Sequence, residues 1–310
     1  MRKIFTKQTI CICLASVVLV YSCKINYPQT SMSYTLVQTP SNIENGKRLV
    51  FGSCAGCHLN HTTKKLTGNQ MHDLPRILGV LYTANLTNSK MYGMTTHYTD
   101  AQLAYLIKTG INNHGHLIPY MLRPNIADAD VNDIIAYLRS GDAAVAASDT
   151  SVGKSHLNFF GRMVIHTRKP MPYIPDIQRP TETIATGKYL VDIMGCFHCH
   201  SKGLSSLNDL HPEQSKNYMM GGMMFKTPAG QKIYASNLTP CATTGIGNYS
   251  PTDFRKAVKE GVTPDGRKLS PPMDKYEDLT DEQTDAIYAY LRTLPPAHHL
   301  VKGHVETKAK

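Results

Sequence analysis

Two short segments of the sequence share the pattern Cys-x-x-Cys-His: residues 54–58 read CAGCH, and residues 196–200 read CFHCH. Two thiols at this spacing can form a disulfide, act as a redox dithiol, supply half of a zinc site or hold a haem covalently. A redox dithiol should follow a strand in a βαβ unit, and zinc should have a second Cys or His pair at ligand spacing. The surroundings of the two motifs can therefore discriminate among these alternatives.

The surroundings favour haem. No alternating, β-branched stretch precedes either motif, and nothing at ligand spacing follows the second, although His61 closely follows the first. Disulfides fit poorly, because the pairs are too close in sequence and too few for 310 residues. The pattern is typical of c-type haem attachment, in which the thiols add to haem vinyl groups and the adjacent His binds the iron. It predicts two covalently bound haem c groups, with attachment through Cys54, Cys57, Cys196 and Cys199 and axial iron ligands His58 and His200.

An internal repeat surrounds the two motifs. Each copy has a Gly-Lys helix start before its motif, at Gly46 and Gly187, and a Tyr-x-x-Asn-Leu-Thr stretch after it, at 82–87 and 234–239. A polar helix, a Leu-x-Pro-x-Met segment and a closing amphipathic helix follow in each copy. In the first copy, the closing helix has apolar residues on one face over 131–138. No stretch predicts a persuasive sheet. The sequence therefore predicts an all-α protein built from a tandem repeat.

This order resembles class I cytochrome c domains repeated in tandem. The resemblance covers residues 41–141 (domain 1) and 182–296 (domain 2), about two thirds of the chain. It implies that the first and last helices of each domain cross beside the haem, with a small Gly against an aromatic residue. Gly46 with Tyr137, and Gly187 with Tyr290, match those roles. Between the domains, 142–181 is a linker that becomes Pro-rich, and 297–310 is a basic tail.

The second axial ligands are expected from the Leu-x-Pro-x-Met segments. A thioether is a soft ligand that favours ferrous iron, and proline restricts the loop that would carry it. Met121 and Met273 occupy matching positions before the closing helices. The first copy has competing side chains in the same region, namely His97, His114, His116, Met91 and Met94.

Domain 2 carries a further resemblance. Tyr234-Ala-Ser-Asn237-Leu-Thr239, with the Gly-containing segments that follow, is similar to the cytochrome c subunits of membrane-bound alcohol and sugar-acid dehydrogenases. That resemblance implies that Tyr234 and Asn237 lie against the haem edge. Those subunits usually carry Asp where this chain has Cys241, and they often hold three haems where this chain has two motifs. Cys241 is expected to be a free thiol.

The N-terminus predicts export. Three basic residues precede a short apolar segment over 10–21, and Ser22-Cys23 follows. This resembles a bacterial lipoprotein signal, with 1–22 removed and Cys23 lipidated; the alternative is an ordinary signal peptide with an incidental Cys. The expected location is the periplasmic face of a bacterial membrane. Removal of 1–22 lowers the formal charge from +10 to +7, which suits an acidic protein partner or a membrane surface better than nucleic acid.

The leading functional hypothesis is an electron carrier rather than an enzyme. Two haems, each with a strong Met candidate, would pass single electrons from a dehydrogenase or respiratory donor to a terminal acceptor outside the cytoplasm. The alternative is a dihaem cytochrome c peroxidase, which needs an open iron position and an acid/base group above it. Such enzymes usually contain a Trp-bearing segment, and this chain has no Trp.

Overall fold

The structure, a computed structural model, describes residues 26–71, 76–203, 206–226, 231–273 and 275–302. The N-terminal unit contains helices α1 (Pro40–Ser53), α2 (Ala55–His58), α3 (Asp100–Thr109) and α4 (Asp128–Leu138). Helix α5 (Phe159–His166) follows in the predicted linker. The C-terminal unit contains α6 (Thr183–Ile193), α7 (Cys196–His200), α8 (Pro251–Arg255) with a π-helical turn over Lys256–Glu260, and α9 (Asp281–Thr293). Short 3₁₀ turns lie at Arg76–Leu78, Met94–His97 and Pro212–Gln214.

Strands are few and short. β1 (Gly79–Val80) pairs antiparallel with β2 (His156–Leu157), and β3 (Met224–Lys226) pairs antiparallel with β4 (Lys232–Tyr234). The helical class expected from the sequence is confirmed, and within the described ranges only these two small sheets are added. None of the described helices is long and apolar enough to cross a membrane. The predicted signal segment and Cys23 lie outside the described residues, as do 303–310.

Each unit is organised by a crossing between its first and last long helices. Gly46 of α1 lies so close to α4 that a Cβ there would stand 1.9 Å from the carbonyl oxygen of Asp133 and 2.9 Å from the Cβ of Tyr137. The crossing of α6 over α9 repeats this arrangement. There, a Cβ on Gly187 would stand 1.9 Å from the carbonyl oxygen of Ala286 and 2.9 Å from the Cβ of Tyr290. Both predicted Gly–Tyr pairs therefore lie at helix crossings.

The predicted linker begins as part of the N-terminal unit. Asp142 accepts hydrogen bonds from the Tyr137 hydroxyl and the Lys47 ammonium, both at 3.0 Å. Val145 is fully buried, and its carbonyl accepts a 2.8 Å hydrogen bond from the Asn88 backbone. Further along, Arg179 forms ion pairs with Asp130 and Asp133 of α4. The linker therefore lies against the N-terminal unit at both of its ends.

Candidate haem sites

The attachment cysteines occupy short helices that follow the first helix of each unit. Cys54 caps the end of α1 and is half-buried, while Cys57, in α2, is exposed. In the second copy, Gly195 separates α6 from α7 with φ +72°, a left-handed conformation that glycine adopts without strain. Cys196 and Cys199 follow and are both half-buried. None of the five described cysteines forms a disulfide, so all four motif sulfurs are available for attachment.

Both motif histidines are buried and held by one ring nitrogen. His58 is 4% exposed and its Nδ1 donates a 2.7 Å hydrogen bond to the carbonyl of Ala84. His200 is 7% exposed and its Nδ1 donates at the same distance, 2.7 Å, to the carbonyl of Ser236. Because Nδ1 carries the proton in each ring, Nε2 keeps its lone pair. A backbone carbonyl that orients a ligating His in this way also raises its basicity toward a metal.

Burial keeps these rings neutral. It lowers the pKa of both His58 and His200, and the carbonyl partners only partly offset that effect. A neutral imidazole is the form that binds iron. Among the described residues, no hydrogen bond reaches Nε2 of either ring. Two reachable thiols beside a buried, oriented imidazole with its Nε2 available fit covalent haem attachment in both copies.

The loops around the two histidines match bond for bond. The backbone N–H of Gly68 donates to the carbonyl of His58, and that of Gly221 donates to the carbonyl of His200, each at 2.8 Å. At the start of the Met-bearing loop, Ile118 donates to the Gly110 carbonyl at 2.7 Å and Leu269 to the Gly261 carbonyl at 2.8 Å. This pair is one residue out of register with the sequence repeat, in which Leu117 corresponds to Leu269. The sequence repeat is therefore also a structural repeat.

Asn237 acts as a brace within the C-terminal unit. It is 2% exposed, and its amide donates to the carbonyl of Ala297 at 2.8 Å while its oxygen accepts from Thr239. Asn85 makes the equivalent bonds, to the carbonyl of Ser148 and from Thr87. In each unit, this amide ties the Tyr-x-x-Asn-Leu-Thr stretch to the chain that follows the last helix. Contact with a haem edge, predicted for half-buried Tyr234 and for Asn237, stays a prediction.

The proposed axial methionines lie in matching turns. Met121 is half-buried and its backbone N–H donates to the carbonyl of Ile118 at 3.0 Å. Met273 is half-buried and its backbone N–H donates to the carbonyl of Ser270 at 3.1 Å. Of the competitors in the first copy, Met91 is 70% exposed on a surface turn. The role of Met121 and Met273 as iron ligands stays a prediction.

Cys241 lies apart from both motifs. It is buried, and its Sγ accepts a 3.3 Å hydrogen bond from the Thr244 hydroxyl and lies 3.5 Å from the Thr243 hydroxyl. Burial alone would raise the pKa of this thiol. The hydroxyl and backbone donors of Thr243 and Thr244 outweigh burial and lower its pKa to about 6. The free thiol expected from the sequence is present.

These sites have the arrangement expected of helical domains that hold a c-type haem. The cytochrome c family model matches residues 43–142, so the N-terminal unit is a cytochrome c domain. Domains of this family hold haem c covalently, and the haem supplies their redox chemistry.

Known proteins similar to the chain agree with that class. It is 37% identical over 113 residues to the fructose dehydrogenase cytochrome subunit of Gluconobacter japonicus, covering 36% of this chain and 21% of that protein. It is 37% identical over 119 residues to the gluconate 2-dehydrogenase cytochrome c subunit of Pantoea cypripedii, covering 38% and 24%. The chain thus spans about a fifth to a quarter of these two relatives. A diheme cytochrome c-type protein of Cereibacter sphaeroides is 24% identical over 267 residues, covering 81% of this chain and 85% of that protein.

Sequence reasoning missed the groups that orient the histidines. Ala84 and Ser236 contribute only backbone carbonyls, so their side chains give no chemical signal. Their position in the repeat does give a signal, because each residue stands directly before the repeated Asn, at Asn85 and Asn237. A repeated position with unlike side chains indicates a backbone role.

Proposed function

We propose that the chain is a two-haem c-type cytochrome that carries single electrons from a dehydrogenase to an acceptor outside the cytoplasm. The observation that carries this proposal is the repeated geometry at the two histidines. Nδ1 of His58 and Nδ1 of His200 each lie 2.7 Å from a carbonyl at the same place in the repeat. The C-terminal unit is thus prepared for a haem in the same way as the cytochrome c domain.

Different residues of each unit would attach the haem and bind its iron. The cysteine pairs would anchor it covalently, and the buried imidazoles would supply one iron ligand. Met121 and Met273 supply the second ligand, whose soft sulfur favours ferrous iron and raises the reduction potential. When bound, the haem supplies the one-electron chemistry. The chain would orient it through the buried rings of His58 and His200, which Ala84 and Ser236 hold in place.

A dehydrogenase partner is supported by the relatives, two of which are cytochrome subunits of fructose and gluconate 2-dehydrogenases. The formal charge of +7 that remains after removal of 1–22 supports an acidic docking surface on a partner. We also propose that Cys23 tethers the exported chain to a membrane through lipid, on the sequence pattern alone. The mass of the N-terminal peptide of the mature protein tests the tether.

The test of the main proposal is haem content and the ferric spectrum of the purified full chain. We expect two haems per chain and a weak far-red band of Met–iron ligation at full strength per haem, unchanged by peroxide. The variant Cys54→Ala/Cys57→Ala is the matched control and should retain one haem, in the C-terminal unit. One haem in the unaltered chain would contradict the proposal. A half-strength band, a high-spin signal and rapid reaction with peroxide would favour the peroxidase alternative.

A further inference from the structure

The two haem-attachment segments meet at a junction between the units. Ser53 directly precedes Cys54, and its hydroxyl donates a 2.9 Å hydrogen bond to the carbonyl of Ile193, three residues before Cys196. One position earlier, a Cβ on Gly52 would stand 3.3 Å from the terminal methyl of Met194, which is a tight packing distance. The ends of α1 and α6 are therefore in contact where each leads into its motif.

Arg123 connects three segments at this junction. It lies two residues after Met121, in the loop of the N-terminal unit that carries the proposed axial ligand. Its Nε donates to the carbonyl of Ile193 at 2.7 Å and lies 3.3 Å from the Ser53 hydroxyl. Its Nη2 is 3.5 Å from where a Cβ on Gly195 would stand, directly before Cys196. One side chain thus touches the Met loop of one unit and both attachment segments.

The charge of Arg123 is not paired within the described residues. No carboxylate there forms an ion pair with it, and the acids that line the same small cavity are already paired. Asp209 lies 2.7 Å from His198, and Asp192 lies 2.6 Å from Lys188. The guanidinium therefore places a positive charge between the two attachment segments. It lies beside Ser53, directly before Cys54, and beside Gly195, directly before Cys196, so the charge faces both units.

The junction also offers a short connection through the protein. From Cys54 the path runs along the backbone to Ser53, crosses one 2.9 Å hydrogen bond to the carbonyl of Ile193, and continues along the backbone to Cys196. Both end sulfurs are covalently bonded to a haem when the chain is loaded. Apart from that one hydrogen bond, the whole path runs through covalent bonds.

We propose that Arg123 is a positioning residue that, with Ser53, fixes the two attachment segments against each other, and that this junction is the route by which the two units exchange electrons. The inference rests on the proposed function, because it requires a haem in each unit. The exchange moves one electron from the reduced unit to the oxidised unit, with no bond made or broken and no proton transferred. The Arg123 charge disfavours the ferric state, which carries one more positive charge than the ferrous state, in both units.

The experiment compares the full chain with Arg123→Met, Arg123→Lys and Ser53→Ala, and with Arg162→Met as the matched control. Arg162 is exposed on α5, donates to the carbonyl of Leu157, and loses the same charge when changed. Haem content is measured first. Potentials are then measured by optical redox titration, and exchange between the units by flash photoreduction to the one-electron level.

We expect Arg123→Met to lower both potentials and to slow exchange at least tenfold, with Arg162→Met unchanged in both. Arg123→Lys should keep the potentials close to those of the unaltered chain but slow exchange, because it keeps the charge and loses the planar fork. Ser53→Ala should slow exchange with little effect on either potential, and it carries the test if Arg123→Met does not fold.

Two outcomes separate the inference from the proposed function. One haem per unaltered chain would overturn the proposed function and, with it, this inference. Two haems, with potentials and exchange rate unchanged in Arg123→Met and in Ser53→Ala, would overturn the inference alone.

Discussion

Gly46 and Asp133 are in backbone contact at the crossing of α1 over α4, where a Cβ on Gly46 would stand 1.9 Å from the Asp133 carbonyl oxygen. No rotation of a side chain can relieve that contact, because the obstructing atom belongs to a helix backbone. Gly187 meets the carbonyl oxygen of Ala286 at the same 1.9 Å. The crossing therefore requires glycine on the first helix of both units.

Gly46→Ala and Gly187→Ala should each destabilise the folded protein by about 1–3 kcal/mol, because the helices must separate to admit one methyl group. Alanine normally stabilises a helix interior by about 0.5–1 kcal/mol relative to glycine, so the clash must outweigh that gain. Gly141→Ala is the control: a Cβ there has nothing within 4 Å, and its effect should stay within about 0.5 kcal/mol. Denaturant unfolding of the haem-loaded chain measures all three. A stable Gly46→Ala protein would contradict the close crossing.

The proposed axial methionines are tested by removing each thioether in turn. Met121→Ala and Met273→Ala should each abolish half of the far-red absorption band and lower one of the two reduction potentials, because the ferrous state loses its soft ligand. Met91→Ala is the control in the N-terminal unit, since Met91 is 70% exposed. Met224→Ala is the control in the C-terminal unit, since Met224 is 44% exposed. A full band in Met121→Ala would move the first ligand assignment to another side chain.

The crossing was predictable from sequence, and the junction was not. Gly46 and Tyr137 could be paired because the resemblance to class I cytochrome c domains implies a small Gly against an aromatic residue, and the repeat presents both types again at Gly187 and Tyr290. Ser53 and Ile193 are 140 residues apart and lie in different units, so no local pattern or repeat relates them. The residue types at a contact within a repeated unit appear twice in the sequence, once in each copy. A contact between the two units has no such second copy.

The linker residue Arg179 should contribute to stability through two buried carboxylates. The side chains of Asp130 and Asp133 are 4% and 2% exposed, and Arg179, 43% exposed, forms ion pairs with both. Arg179→Met should destabilise the protein by about 2–3 kcal/mol, below the full cost for a wholly buried pair because the guanidinium is partly solvated. The same change in an Asp130→Asn/Asp133→Asn background should cost less than about 1 kcal/mol. Equal losses in both backgrounds, measured by denaturant unfolding, would show that Arg179 acts through something other than these charges.

The Cys241 thiol should ionise well below the ordinary range. Its pKa is lowered to about 6, so thiolate is the main form at neutral pH and is lost as the pH falls through 6. Alkylation by iodoacetamide should therefore have its half-maximal rate near pH 6, although burial makes the absolute rate slow. Thr244→Val removes the 3.3 Å hydroxyl donor and should raise the midpoint, while Cys241→Ser should abolish modification of that peptide. Peptide-resolved mass spectrometry follows the rate, and a midpoint near pH 8.5 in the unaltered chain would show that the threonine donors do not stabilise the thiolate.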